Sequence, residues 1–232
     1  MKIGLFTDPH YSDKEASSNR LHSLSYEKIE EAMLYFKKND VDLVICLGDL
    51  TDDCINVEDN PKALKKLMKM INSYGIKFYS LMGNHDCQSF TKENFDLLTS
   101  GAYPPFKIEN ETSVLIFLDC NYEISGEAYK VGKVDWTNTC LTNDQIDALK
   151  DTLNTKKKKY VFVHQNLDPG VEEHHIVHNA DVIRKILEKA SVELVVQGHY
   201  HLGHDNKING IKYHTLPAMC EGKEKRFEIL DI

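Results

Sequence analysis

Five apolar segments of this chain each end in side chains that can bind a metal ion or move a proton. These side chains are Asp8 and His10, Asp49, Asn84 and His85, His164, and His199 and His201. Any one of them has an ordinary explanation, because an aspartate after a strand often caps a helix or forms a turn. Parallel strands, however, bring their carboxyl ends to one edge of a sheet. We therefore expect the five groups to converge.

Residues 43–52 are the centre of this pattern. A continuous apolar run, typical of an interior strand, leads into Gly48, where the backbone can turn sharply. Asp49 follows the glycine directly, and Asp52 supplies a second carboxylate three residues later. A carboxylate between two cations can donate one oxygen to each. We predict that Asp49 bridges two metal ions in this way.

The donor types indicate which metals would bind and what they would do. Carboxylate oxygens mixed with imidazoles suit manganese, iron or zinc, and no thiolate is required. Two-metal sites hold their ions roughly 3.5–4 Å apart, clamp the oxygens of a phosphoryl displacement and lower the pKa of a bound water to about 7. The leaving group then needs a proton. His85 is the candidate general acid, with Asp86 beside it to orient and charge the imidazole.

The elements that position these groups alternate between strands and helices. Strands are predicted at 3–6, in the run before Asp49, and at 76–82, 114–118, 160–163, 193–196, 210–216 and 226–232, the last two as a hairpin-like pair. Helices are predicted at 26–38, 61–74, 142–153 and 180–189, and lysines 156–159 are interpreted as a solvated helix end. This alternation predicts an α/β architecture with helices covering the sheet faces.

Composition limits the partners and the compartment. A length of 232 residues suits one domain, residues 1–232, and 28 Lys and Arg against 36 Asp and Glu give a net charge of -8. That balance argues against a nucleic-acid duplex or a membrane as partner. The six cysteines form no CxxC pair, which favours a reduced compartment. No signal peptide or membrane-spanning stretch is visible, so we expect a cytoplasmic protein.

The strand-end groups also resemble a known family in their order and spacing. Asp8-Pro-His10, Gly48-Asp49-Leu-Thr-Asp52, Gly83-Asn84-His85-Asp86, His164 and Gly198-His199-Tyr-His201 resemble the five signature blocks of the calcineurin-like metallophosphoesterases. The resemblance spans nearly the whole chain. It implies a four-layer αββα sandwich of two mixed sheets flanked by helices, with a dinuclear metal site at the carboxyl ends of the strands.

The same resemblance implies a role for each site residue. One metal would be held by Asp8, His10, Asp49 and His201, and the other by Asp49, Asn84, His164 and His199. His85 would contact the phosphate and protonate the leaving oxygen. Asp52 would orient the site through hydrogen bonds.

The substrate is left open by the sequence. Residues 20–32 and the tail after Gly198 are similar to manganese-dependent ADP-ribose/CDP-alcohol diphosphatases, but His10 stands where that subgroup often has glutamine. Gln165 likewise stands where a second histidine is frequent. A small phosphorylated substrate is expected, either a phosphodiester or a nucleotide diphosphate. A cyclic nucleotide is the alternative within the same fold.

Four loops would select among these substrates, namely 11–23, 88–106, 121–140 and 167–179. Within them Arg20 could contact a phosphate, although a surface charge is the default interpretation. His174, His175 and His178 could contact the substrate or form a lid, with a solvated loop as the default. Trp136 could stack on a base, with packing as the default. Tyr200, between two predicted ligands, is equally consistent with lining the pocket and with packing behind the metals.

Two other classes of protein fit the sequence less well. A dinuclear hydrolase of carbon–nitrogen bonds would need a longer, barrel-forming chain, and such chains usually open with His-x-His. A scaffold that kept the fold without the chemistry should have lost ligands, whereas none is missing here. Serine hydrolysis is disfavoured because the chain contains no Gly-x-Ser-x-Gly elbow.

Overall fold

Two mixed β-sheets carry the predicted site residues, and the computed structural model describes all of residues 1–232. The first sheet contains β1 (Lys2–Phe6), β2 (Leu43–Cys46), β3 (Lys77–Ser80) and β10 (Glu228–Asp231), in the order β10-β1-β2-β3. The second contains β4 (Lys107–Glu109), β5 (Ser113–Leu118), β6 (Lys158–Val163), β7 (Leu194–Gln197), β8 (His204–Ile208) and β9 (Ile211–Thr215), in the order β4-β5-β6-β7-β9-β8.

Strand direction and register put the site residues at one level. In the first sheet β1, β2 and β3 are parallel and β10 is antiparallel, with Phe6 level with Cys46 and Cys46 level with Ser80. In the second sheet β5, β6, β7 and β9 are parallel, while β4 and β8 are antiparallel edges. The segments that follow β1, β2, β3, β6 and β7 therefore emerge at the carboxyl edges of their sheets.

Six helices connect the strands. They are α1 (His22–Lys38), α2 (Asn60–Ser73), α3 (Asn84–Ser89), α4 (Lys92–Leu98), α5 (Asn143–Leu153) and α6 (Ala180–Lys189), with short 3₁₀ turns at Val57–Asp59 and Glu173–His175. Thr142 caps α5 by accepting a hydrogen bond from the Gln145 N–H. The helix predicted at 26–38 begins one turn earlier, because the buried His22 and Ser25 side chains bind the carbonyl oxygens of His10 and Pro9.

The apolar core is divided by the two sheets into three regions. The central region lies between the sheets and includes Leu5, Ile45, Phe117, Phe162 and Val196. The outer regions pack α1 and α2 on the first sheet and α5 and α6 on the second. The result is the four-layer αββα order that the family resemblance implied. Because β2, β5 and β7 are buried along their whole length, their sequences are continuous apolar runs instead of alternating ones.

Two expectations about the elements are wrong. The hairpin-like pair does not form, because β9 pairs with β7 and β8 in the second sheet, whereas β10 pairs with β1 in the first. The strand β8 was missed because its side chains are polar and half-exposed, which gives no apolar signal.

The lysine run is also placed differently. Lys158 and Lys159 begin β6 and do not end a helix. Lys159 is buried, and its ammonium donates to the Ala190 carbonyl at 2.9 Å. None of the six helices combines the length and the apolar character that crossing a lipid bilayer would require.

Candidate metal centre

The predicted ligands sit on backbone turns at the strand ends. Asp8, His10, Asp49 and His199 have φ angles between 48° and 66°, in the left-handed region. Non-glycine residues adopt this region at a free-energy cost, and such residues cluster at functional sites. These turns place the four side chains in two adjoining groups of potential metal ligands.

Two glycines allow the strand ends to approach one another. A Cβ on Gly48, whose φ is +115°, would lie 2.5 Å from His164 Nδ1. A Cβ on Gly83 would overlap the Asp49 carboxylate. A larger residue at either position would therefore push apart the groups that the site requires.

The first of two ligand clusters contains Asp8, His10, Asp49 and His201. His10 Nε2 lies 3.7 Å from Asp8 Oδ1, 3.6 Å from Asp49 Oδ2 and 3.3 Å from His201 Nε2. His201 Nε2 is 3.5 Å from Asp8 Oδ1. The separations match those of atoms that share one ion as ligands, which bind at about 2.0–2.2 Å each.

The second cluster contains Asp49, Asn84, His164 and His199. His164 Nε2 lies 3.5 Å from Asp49 Oδ2 and 3.3 Å from Asn84 Oδ1. One ligand atom each of Asp49, His164 and His199 falls within a 4.8 Å group. The structure thus brings together all seven of the side chains predicted to bind metal.

Asp49 belongs to both clusters, and its two carboxylate oxygens have different surroundings. Its Oδ1 accepts a hydrogen bond of 2.7 Å from the His85 backbone N–H. Its Oδ2 alone faces His10 on one side and His164 on the other, at 3.6 and 3.5 Å. A single oxygen of Asp49 therefore lies between the two clusters.

Two imidazoles are fixed by hydrogen bonds on the nitrogen that points away from the cavity, and a third faces a carboxylate there. His164 Nδ1 donates to the Leu47 carbonyl at 3.0 Å, and His201 Nδ1 donates to the Glu221 carboxylate at 2.8 Å. His10 Nδ1 lies 3.3 Å from Asp52 Oδ2. Each contact leaves Nε2 free to face the cluster, as in proteins whose histidines bind metals. Glu221 was not predicted, since its sequence surroundings resemble a solvated tail.

The site as it stands has unsatisfied polar atoms that a cation would satisfy. Asp8 Oδ1 and His199 Nε2 are buried and have no hydrogen-bond partner. An unpaired buried acceptor costs about 1–3 kcal/mol, so such atoms are rare unless something binds them. Carboxylate, amide and imidazole donors together suit a manganese, iron or zinc ion. The residues present therefore fit a pair of metal ions.

The electrostatics of the cavity also favour positive charge. Burial opposes protonation of His164, yet the Asp49 carboxylate raises the pKa of this imidazole to about 9. Burial likewise opposes ionisation of Asp49, but His164 and His85 hold the pKa of that carboxyl well below its usual range. The carboxylate is thus ionised at neutral pH, and a cation can take the place of the proton.

The candidate general acid lies on the cavity wall beside Asp52. His85 Nδ1 is 3.4 Å from Asp52 Oδ2, and Arg20 approaches the same oxygen at 3.4 Å. Burial raises the pKa of Asp52, but hydrogen bonds from His10 and His85 outweigh this and lower it. Asp52 is therefore a charged support for two histidines at once.

Asp86 does not have the position that its sequence neighbourhood indicates. Its carboxylate accepts hydrogen bonds from the backbone N–H groups of Leu50, Thr51 and Gly83 and from the Thr51 hydroxyl. Burial, reinforced by Asp49, raises the pKa of Asp86 to about 6. Asp86 ties the turn after β3 to the turn after β2, and the carboxylate that faces the His85 imidazole is Asp52.

A cavity of about 350 Å³ opens over these groups, and loop residues form its outer wall. Arg20, Trp136, His175 and Tyr200 all line it. Arg20 and His175 therefore lie on the cavity wall, where the substrate contacts considered for them are within reach, whereas His174 is exposed as expected. Segment 88–106, one of the four loops expected to select the substrate, contributes no residue to this cavity.

Comparison with known proteins identifies the class. The chain belongs to the calcineurin-like phosphoesterase family, whose sequence profile matches residues 1–203. A 3',5'-cyclic-nucleotide phosphodiesterase of Nostoc sp. is 24% identical, with 95% of this chain and 79% of the relative aligned. The chain is therefore a metallophosphoesterase, which confirms the predicted family and enzyme class.

Solved structures share the fold. A dimetal phosphatase from Danio rerio superposes with a TM-score of 0.84 at 17% identity, covering 98% of this chain and 91% of the other. A Plasmodium protein described as the anchor in the inner membrane complex superposes with a TM-score of 0.60 at 14% identity, covering 99% of this chain and 80% of the other. These likenesses confirm the two-sheet architecture.

Proposed function

We propose that this protein hydrolyses a phosphodiester or phosphoanhydride bond of a small, nucleotide-type substrate, with His85 as the general acid. The proposal rests on the position of Asp49 Oδ2, which lies between the two ligand clusters. Asp49 lines a cavity whose wall also contains His85. A scaffold protein would have no use for a proton donor held at that point.

The two clusters would hold manganese, iron or zinc ions. Asp8, His10, Asp49 and His201 would hold one, and Asp49, Asn84, His164 and His199 the other. When bound, such ions neutralise phosphate charge and lower the pKa of a water ligand.

The chain itself supplies the proton for the leaving oxygen. His85 has Nδ1 against Asp52, so Nε2 is the nitrogen that can donate to a substrate in the cavity. The ionised Asp52 stabilises the charged imidazole before the transfer and keeps its ring oriented afterwards. Asp52 would therefore act by positioning and charge, and Asp86 by holding the turn from which His85 projects.

The cavity fits more than a phosphate group. Arg20 places a positive charge on its wall, while Trp136 and Tyr200 provide aromatic surface. That combination suits a phosphorylated compound that also carries a flat organic group. A 3',5'-cyclic nucleotide is the second candidate substrate, because the Nostoc relative is named for that activity.

The test is reconstitution of the metal-free protein followed by a substrate panel. Protein loaded separately with manganese, iron or zinc should hold one ion in each of the two clusters and hydrolyse bis-nitrophenyl phosphate. ADP-ribose, a CDP-alcohol, cyclic AMP and a nucleoside monophosphate would then rank the substrate classes. Absence of both bound metal and hydrolysis with added manganese would overturn the enzyme proposal. Fastest turnover of cyclic AMP would select the second candidate.

A further inference from the structure

Outside the two clusters, one more group of side chains presents metal-binding atoms to a common point. Glu172, His174 and His175 each place one such atom within 4.8 Å of the others. Glu172 Oε2 lies 3.3 Å from His174 Nε2 and 3.8 Å from His175 Nδ1. The second distance is too long for a hydrogen bond, so His175 Nδ1 faces the Glu172 carboxylate without bonding to it.

The backbone under this group is held in place. The 3₁₀ turn is closed by hydrogen bonds from the His175 and Ile176 N–H groups to the carbonyls of Glu172 and Glu173. Immediately after it, Ile176 forms a bridge with Asn166, and the Val177 N–H donates to the Asn166 carbonyl at 2.9 Å. The three side chains therefore extend from a fixed turn, which lowers the entropy cost of binding a ligand.

The His175 ring is fixed as well, yet one of its nitrogens has nothing to bind. Its centroid lies 5.2 Å from Trp136, 5.2 Å from His199 and 5.1 Å from Tyr200. Nδ1 faces Glu172, is buried, and has no hydrogen-bond partner. This buried ring nitrogen is therefore available to bind a ligand placed between it and Glu172.

We propose that Glu172, His174 and His175 bind a third divalent cation, of the zinc type. Two imidazole nitrogens and one carboxylate oxygen form a donor set that proteins use for zinc, with the fourth position left to water or to an outside ligand. Glu172 and His175 line the same cavity as the central clusters. The ion would stand at the mouth of the cavity, where its open position could take an anionic oxygen of the substrate beyond the reacting phosphate.

The experiment counts zinc ions per chain after equilibrium dialysis of the intact protein against zinc alone. Wild-type protein should bind three ions, and His174→Ala and Glu172→Gln should each bind two. His178→Ala is the matched control, since it removes an exposed histidine of the same loop, and it should still bind three. A wild-type count of two, or a third ion retained in His174→Ala, would overturn the proposal.

A second variant separates this site from the central one. Asp49→Asn should lose the two central ions and keep the third, because Asp49 contributes no ligand atom at the turn. Cobalt absorption provides the independent readout, as the visible bands of the third ion should persist in Asp49→Asn and vanish in His174→Ala. Loss of those bands in Asp49→Asn would show that no separate site exists. Failure to hydrolyse any substrate would leave this count unaffected.

Discussion

The two sheets contribute different chemistry to one cavity. The segments that follow strands of the four-stranded sheet provide the carboxylates, the amide, one imidazole and the candidate proton donor, namely Asp8, Asp49, Asp52, Asn84, His10 and His85. The six-stranded sheet provides only imidazoles, namely His164, His199 and His201. One sheet thus sets the negative charge of the site, and the other completes both clusters with imidazoles.

Because of this difference, neither sheet alone contains all the residues of either ligand cluster. His201 from the second sheet completes the cluster of Asp8 and His10, and Asp49 from the first sheet completes the cluster of His164 and His199. The apolar layer between the sheets, with Leu5, Ile45, Phe117 and Phe162 among its members, therefore fixes the distances between ligands. The predictions below test the separate contributions and then the layer that joins them.

The largest effect should come from Asp49→Asn, which changes the residue that both clusters share. A neutral amide weakens both sites, so we expect loss of both central ions and a fall in turnover of roughly a thousandfold or more. Metal analysis of the purified variant measures the loss of ions, and hydrolysis of bis-nitrophenyl phosphate measures the fall in turnover. Asp147→Asn, at an exposed position on α5, is the control and should leave both quantities unchanged. Two central ions retained in Asp49→Asn would refute the shared ligand.

His85→Ala should separate proton transfer from metal binding within the first sheet. Both central ions should stay bound, since His85 belongs to neither cluster. Turnover of substrates with poor leaving groups should fall by about 10²–10⁴, the usual contribution of a general acid, while nitrophenyl esters should lose much less. Rates measured over a series of leaving groups provide the check. An equal loss across the series would contradict the acid role.

Phe162→Ala should weaken the layer that joins the sheets. The side chain is fully buried and its ring stacks on Phe117, with centroids 5.4 Å apart. We expect the free energy of unfolding to fall by about 3–5 kcal/mol in urea titrations. Metal affinity should fall with it, because β6 carries His164. Leu97→Ala, at an exposed position, should stay within about 0.5 kcal/mol of wild type, and a similar value for Phe162→Ala would contradict the role of the layer.

The smallest effect concerns a polar link between the sheets. His214 on β9 places Nδ1 2.6 Å from Asp205 and Nε2 2.9 Å from Glu228 on β10. The hydrogen bond to Glu228 raises the pKa of His214, burial opposes this, and Asp205 reinforces it. A pKa raised on folding adds stability that is complete below the unfolded value near 6.5 and is lost as pH rises through the folded value.

His214→Gln should therefore lower the free energy of unfolding at pH 6 by about 1 kcal/mol or less, and by a smaller amount at pH 9, because both carboxylates are partly exposed. Urea titrations at the two pH values measure the difference. His178→Gln is the control, and its unfolding free energy should follow the wild-type pH dependence. A loss for His214→Gln that does not change with pH would contradict the charged link.

Most of the site could be predicted because its signals are local. Each apolar run, its closing glycine and its ligand are neighbours in sequence, as at Gly48-Asp49 and Gly83-Asn84. The helices with a clear apolar stripe, α2, α5 and α6, were predicted for the same reason. The roles of Asp52 and Asp86 could not be separated in this way, because both are close in sequence to a predicted site residue. Only the folded structure shows that Asp52 faces the His85 imidazole and that Asp86 binds backbone N–H groups.

The sequence by itself determined the strand-end residues, since residue type and spacing decide these, and the family resemblance that they carry implied the seven candidate ligands. Only the tertiary structure decided which groups support them. Glu221 reaches His201 and Arg20 reaches Asp52 across long separations in sequence, and His175 reaches the cavity wall from a loop with no periodic pattern. Contacts of this kind depend on how loops fold back over the two sheets. That arrangement is set by packing throughout the molecule, so it cannot be predicted from a short stretch of residues.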